Sequence, residues 1–193
     1  MAQSKSDETL GRFLSLVLRH NPAAAQITLD EHGWADVEAL LAGCARAGRR
    51  IGRDTLERIV RENSKQRYSF NGDHTKIRAN QGHSIAVDVE LRQAQPPARL
   101  YHGTAMRFLE SIRAQGITRQ SRQHVHLSAD YPTALAVGSR HGRPVVLAID
   151  AAAMARDGYV FYRSENGVWL CERVPWSYVL EDGAGLAPEP TGR

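Results

Sequence analysis

Leu16-Val17-Leu18-Arg19-His20-Asn21-Pro22 closes the first apolar run of the chain and sets an arginine beside a histidine at its end. Leu10, Phe13, Leu14, Val17 and Leu18 recur at helical spacing, so the run reads as a helix from about Asp7 to His20 with one buried face. Pro22 cannot continue a helix and biases Asn21 away from helical geometry, which stops the element near His20. Basic residues in a last turn favour the negative end of the helix dipole and can bond its open carbonyls. A purely structural role for Arg19 and His20 is therefore available. Whether they carry chemistry depends on what accompanies them.

Around this helix, 193 residues suit one large or two small domains, each able to bury a core. A hydrophobic content of 42% with 24% charged residues is that of a soluble globular protein. The first eight residues lack the apolar core of a secretory signal, and no run approaches a membrane span. Cys44 and Cys171 stand far apart, in no C-x-x-C pattern, and read as reduced core thiols of a cytoplasmic protein. A net charge of +4 permits an anionic partner such as RNA without demanding one.

Past Pro22, Ile27-Thr28-Leu29 reads as a short strand and His32-Gly33 as a turn. Asp36 can cap a second helix with Val37, Leu40 and Leu41 on one face. Asp54-Thr55-Leu56-Glu57 has the spacing of a capping box and opens a third helix, with Leu56, Ile59 and Val60 toward the core. Arg67-Tyr68-Ser69-Phe70, a turn at Asn71-Gly72-Asp73 and Thr75-Lys76-Ile77-Arg78 form a hairpin. Helices followed by a basic hairpin describe a winged-helix lobe over 1–90, of a kind that binds nucleic acid, binds protein or only supports a neighbour.

Paired prolines after polar residues mark a linker over 91–98. Beyond it, over 99–180, short strands alternate with helices: strands at Leu100–His102, His124–Ser128, Val145–Asp150, Tyr159–Tyr162, Val168–Cys171 and Tyr178–Leu180. Helices are expected at Phe108–Ala114, Pro132–Val137 and Ala151–Arg156. The fold class is α+β. The Pro/Gly-containing tail over 181–193 reads as disordered.

Four basic side chains stand out for chemistry: Arg19, His20, Arg67 and Arg122. Arginine stays protonated and offers a planar fork that pairs two oxygens, so several forks on one point suit a multiply charged anion such as a terminal phosphate. Taken singly, each arginine also fits a solvated surface. His102-Gly103-Thr104 and His124-Val125-His126-Leu127-Ser128 form a second constellation, with His124 and His126 on one side of a strand. These histidines fit a metal set lacking an acidic ligand, twin H-x-T/S motifs of a phosphoesterase with or without metal, or hydrogen-bonded strand ends. No G-x-G-x-x-G, P-loop, G-x-S-x-G or H-E-x-x-H motif is present. Gln81-Gly82-His83-Ser84 reads as a turn or as a ligand contact.

In order along the chain stand Leu18-Arg19-His20, Leu29-Asp30 with Gly33-Trp34, Lys65-Gln66-Arg67-Tyr68 and Gln81-Gly82-His83-Ser84. They are followed by Tyr101-His102-Gly103-Thr104, Arg122 before His124-Val125-His126-Leu127-Ser128, Gly138 with Arg140-His141-Gly142, and Asn166-Gly167-Val168-Trp169-Leu170. Together they resemble the NAD-dependent RNA 2′-phosphotransferase family from Leu10 to Leu180; each motif alone is weak, and eight in order are specific. Tyr68, where phenylalanine is common, and the Pro/Gly-rich tail depart from the pattern without touching the proposed chemistry.

The resemblance implies a winged-helix lobe joined to an ADP-ribosyltransferase-like lobe with a split antiparallel sheet, and an active site in the cleft between them. It implies a reaction in which an internal RNA 2′-phosphate, such as a tRNA splice-junction phosphate, attacks NAD⁺ and displaces nicotinamide. The resulting 2′-phospho-ADP-ribosylated RNA then yields RNA with a 2′-OH and ADP-ribose 1″,2″-cyclic phosphate. By the same match the catalytic roles fall to Arg19, His20, Arg67 and Arg122. NAD⁺ binding falls to His102, Gly103, Thr104, His126, Ser128, Asp130, Arg140 and His141, and RNA binding to Gln81 and His83. No residue is assigned to a metal. The expected partners are NAD⁺, consumed as co-substrate, and 2′-phosphorylated RNA, tRNA or other, with no membrane association and a monomeric state. A non-enzymatic module that binds RNA or ADP-ribose is the other reading.

Overall fold

The structure, a computed structural model, describes residues 5–63 and 65–180; the expected disordered tail lies outside them. Two compact units divide the chain at Leu91/Arg92. No helix among the described residues is long and apolar enough to cross a membrane.

In the first unit, α1 (Lys5–Arg19) buries Phe13, Leu14, Val17 and Leu18, and a 3₁₀ turn (Pro22–Ala25) follows where the proline forbids α-helix. Ile27-Thr28-Leu29 is not a strand. The neighbouring Asp30 instead folds a tight turn, its Oδ1 accepting from the N–H groups of His32 and Trp34, and pairing begins only at β1 (Ala35–Asp36). The Asp36 carboxylate accepts from Ala39 N at 2.8 Å and starts α2 (Val37–Arg46). α3 (Arg53–Glu62) buries Leu56, Ile59 and Val60 as expected. Its cap is Gly52, with no side-chain bond, so Asp54 lies inside the first turn, where its charge complements the helix dipole. The hairpin is present as β2 (Tyr68–Phe70) and β3 (Lys76–Ala79), and β3 is the central strand of an antiparallel sheet ordered β1-β3-β2.

The second unit holds small antiparallel sheets. β4 (Arg92–Gln93) lies within the 91–98 stretch and pairs with a later strand, while Ala94 N donates to Phe161 O at 2.9 Å, tying this stretch to its own unit. β5 (Arg99–Ala105) is a continuous seven-residue strand that runs through Gly103 and Thr104 rather than closing at them. α4 (Leu109–Gln115) ends at Gly116, whose φ of +76° and missing side chain allow the Val174 carbonyl to approach. β6 (Ile117–Thr118), β7 (Val125–Leu127), α5 (Tyr131–Gly138), β8 (Pro144–Asp150) and α6 (Ala151–Arg156) follow. β9 (Tyr162–Arg163), β10 (Trp169–Cys171), β11 (Arg173–Val174) and β12 (Val179–Leu180) complete the unit.

The sheets are ordered β4-β9-β10-β7, β12-β8-β5 and β11-β6, with a bridge between Tyr101 and Ser128 joining the first two. Leu100, Leu127, Leu147, Ile149, Met154 and Phe161 fill the core. Both cysteines are buried and unpaired with each other, and burial pushes the Cys171 thiol up to about 12.

Candidate active site

In the first unit the end of α1 gathers most of the chemistry. Arg19 is 9% exposed, and its Nη2 reaches toward the Arg67 carbonyl at 3.5 Å. Arg67, at the entry to β2, donates from Nη1 to the buried Asn63 Oδ1 at 3.1 Å. The backbone N–H of Asn80 bonds the same Arg67 carbonyl at 2.9 Å, so the end of β3 fixes where both arginines start. Tyr68 lies beneath this group. Burial raises its phenol above the ordinary value, and it donates to the Gly11 carbonyl at 2.7 Å and contacts Ser15 Oγ. It remains a neutral brace between α1 and β2.

The turn at Gln81–Ser84 folds onto the same helix end. Ser84 N donates to the Arg19 carbonyl at 3.0 Å, satisfying a carbonyl that the helix leaves open, and Ser84 Oγ shares a 2.9 Å hydrogen bond with His20 Nδ1. His20 itself is exposed, and Gln81 is half-buried. His83 is only 1% exposed, and its ring lies against the Leu18 backbone. A group so placed reaches a ligand only through its neighbours. Burial, then repulsion from Arg19, His20 and Arg78, lowers its pKa to about 4, so it is neutral. Arg78 is held by Glu90 at 3.1 Å and lies over the Trp34 ring.

In the second unit the residues singled out by sequence surround the Tyr101–Ser128 bridge. His102 on β5 directs Nδ1 to the His126 carbonyl at 3.2 Å, and His126 directs Nδ1 to the His124 carbonyl at 3.0 Å. A carbonyl only accepts, so both rings carry Nδ1–H, and when neutral they present Nε2 as an acceptor. Burial holds His102 below the usual histidine range. The ring of His124 meets Tyr162 edge-on. Gly103 packs against α5: a Cβ there would lie 1.7 Å from the Ala134 carbonyl oxygen, and one at Gly138 would lie 2.6 Å from the Thr104 carbonyl oxygen. Thr104 is buried and Ser128 half-buried.

The Asp130 carboxylate caps α5 through Thr133 N at 2.8 Å and Thr133 Oγ1 at 2.9 Å, so its bonds are local. Arg140 and His141 are exposed in a 3₁₀ turn after α5. Arg122 is exposed in the turn before β7, where desolvation lowers its guanidinium somewhat from the usual value. Ser84 and Asn80 were not singled out by their residue types. A serine two residues past a glycine looks like ordinary turn chemistry, and a lone asparagine after a strand carries no signal of its own.

A family model described as RNA 2′-phosphotransferase, Tpt1/KptA family, matches residues 5–173. The chain belongs to this family. It is 54% identical over 175 residues to a probable RNA 2′-phosphotransferase of Fusobacterium nucleatum subsp. nucleatum, covering 90% of this chain and 98% of that protein. It is 52% identical over 182 residues to one of Pseudomonas paraeruginosa (94% of this chain, 100% of that protein) and 51% identical over 175 residues to one of Hahella chejuensis (91% and 94%). The Arg19–His20–Arg67 group sets two guanidinium donors and an exposed imidazole at one helix end.

Proposed function

We propose that the protein transfers an internal RNA 2′-phosphate to NAD⁺, with the first unit acting as a winged-helix lobe and the second as an ADP-ribosyltransferase-like lobe. The observation that carries this reading is a nearly buried arginine, Arg19, tied to Arg67 and flanked by His20 on one helix end, in a chain of the RNA 2′-phosphotransferase family. Guanidinium forks held at one rigid helix end are suited to pairing the oxygens of a phosphate. In the first step, a 2′-phosphate oxygen bonds to C1″ of NAD⁺ and nicotinamide departs with the electron pair of its C–N bond. In the second, the ribose O2″ bonds to phosphorus and the RNA 2′-oxygen leaves, taking up the proton that O2″ loses.

Arg19, Arg67 and Arg122 hold the phosphate oxygens in both steps, offsetting the repulsion between two anionic substrates and then the charge that builds at phosphorus. His20 donates a hydrogen bond or a proton to the same group. On the second unit, the donor set fits the dinucleotide. With Nδ1 turned to a carbonyl, His102 and His126 leave Nε2 for ribose hydroxyls, with Thr104 on the strand of His102 and Ser128 just past the strand of His126. Arg140 and His141 contribute to binding NAD⁺, Asp130 shapes the turn that leads into α5, and Gln81 helps hold the RNA end.

Mixing the protein with NAD⁺ and a short 2′-phosphorylated oligonucleotide tests this. Nicotinamide release that requires the 2′-phosphate supports the reading. Release that is equal with 2′-hydroxyl RNA, or no release at all, contradicts it.

A further inference from the structure

His20 differs from other described histidines in what its Nδ1 faces. In His32, His102 and His126 that nitrogen meets a backbone carbonyl, which fixes Nδ1–H and leaves Nε2 as an acceptor in the neutral ring. In His20 it meets the Ser84 hydroxyl at 2.9 Å. A hydroxyl hydrogen rotates, so the hydroxyl can donate to Nδ1 of the neutral Nε2–H ring or accept from Nδ1–H, and only the first leaves a donor on Nε2 of a neutral ring; a carbonyl allows only the second.

We propose that Ser84 is a positioning residue that holds His20 in one orientation as the Nε2–H form, keeping a donor on Nε2 in both protonation states. The activity arm of this inference rests on the reading of the site given above.

Three features make Ser84 suited to the task. Its backbone is fixed independently of its side chain, because Ser84 N donates to the Arg19 carbonyl. The preceding His83 is sunk into the unit beside Gly33, with its Nε2 3.6 Å from where a Gly33 Cβ would stand. Gly82, at a φ of +87°, supplies the left-handed bend that turns the segment back onto α1. The hydroxyl is thus anchored from both sides, while the ring it holds is exposed. The cations around it are Arg19 on its own helix, Arg67 beside Arg19, and Arg78 beyond the neutral His83. Among them, the useful state of His20 is one that presents a donor without needing a further positive charge. The hydroxyl partner permits this and a carbonyl would not. The two units then divide the work of their histidines: His102 and His126 accept, and His20 donates.

The test is a long-range proton–nitrogen spectrum of the imidazoles in ¹⁵N-labelled full-length protein at neutral pH, with His20→Asn used for assignment. The expected result is His20 as Nε2–H and His102 as Nδ1–H, with Ser84→Ala converting His20 to a mixture and Ser84→Thr retaining the single form. A His20 that is Nδ1–H, or one unchanged in Ser84→Ala, overturns the proposal. In turnover, Ser84→Ala should lower kcat about three- to tenfold, the worth of one hydrogen bond. KM for RNA should stay within about twofold, and Ser84→Thr should restore kcat. An unchanged kcat in Ser84→Ala also overturns it. If the wild type releases no nicotinamide while the spectra behave as expected, the proposed reaction fails and the role of Ser84 in holding His20 stands.

Discussion

Arg19, Arg67 and Arg122 are each assigned to the phosphate, and each alanine variant is expected to lose at least about tenfold in turnover, or about 1.4 kcal/mol of transition-state stabilisation. Steady-state kinetics on the three variants check this, and unchanged turnover in any two contradicts the clamp. His83 makes a separate prediction. Its folded pKa of about 4 lies below the unfolded value of about 6.5, so between those values the unfolded chain holds a proton that the folded chain excludes. Stability is therefore complete above the unfolded pKa and falls as the pH drops toward 4. From pH 7 to pH 5 this group contributes a loss of about 2 kcal/mol. Urea unfolding at the two pH values should show His83→Leu losing about that much less than the wild type, and identical pH dependence would contradict a buried neutral ring. The adjacency of Arg19 and His20 could be read from the chain, because helix periodicity and Pro22 place both at one end of α1. The burial of His83 could not. Gln81-Gly82-His83-Ser84 has the composition of a surface turn, and long-range bonds to Arg19 and His20 draw it inward.

Gly103 and Gly138 let α5 lie directly on β5, and this contact also sets the backbone of the proposed NAD⁺ strand. Gly103→Ala would place a methyl group on the Ala134 carbonyl and is expected to destabilise the protein by at least about 2 kcal/mol. Gly11→Ala, with nothing near the added methyl in the middle of α1, should stabilise it by about 0.5–1 kcal/mol. Chemical denaturation compares the two, and equal effects would mean that α5 and β5 are not so closely packed. Elements with strong local signals were legible in advance: α6 has the limits its sequence implies, Asp36 caps α2, and the hairpin of β2 and β3 follows its Asn71-Gly72 turn. β1, β4, β6 and β11 are two residues long, too short for any alternation to show. They exist because a partner strand passes alongside. Asp54 misleads for a related reason: its spacing to Glu57 imitates a capping box one residue inside a helix that starts at Arg53.

Charge is divided unevenly along the whole chain. Residues 92–180 carry eleven arginines and no lysine against six carboxylates. Three of those carboxylates have local bonds: Asp130 and Asp150 cap helices, and Asp157 accepts from the Tyr178 hydroxyl. The unit proposed to hold NAD⁺ is therefore also the more cationic one, as suits a protein that must bring a dinucleotide and an RNA phosphate together. The family was legible from eight short motifs in order, whereas the packing behind them was not. The most direct measurement follows the phosphate. The protein is incubated with NAD⁺ and a 2′-phosphorylated oligonucleotide, and every product is identified by mass. The account predicts RNA lighter by one phosphoryl group, free nicotinamide and ADP-ribose 1″,2″-cyclic phosphate; inorganic phosphate beside intact NAD⁺ would contradict it.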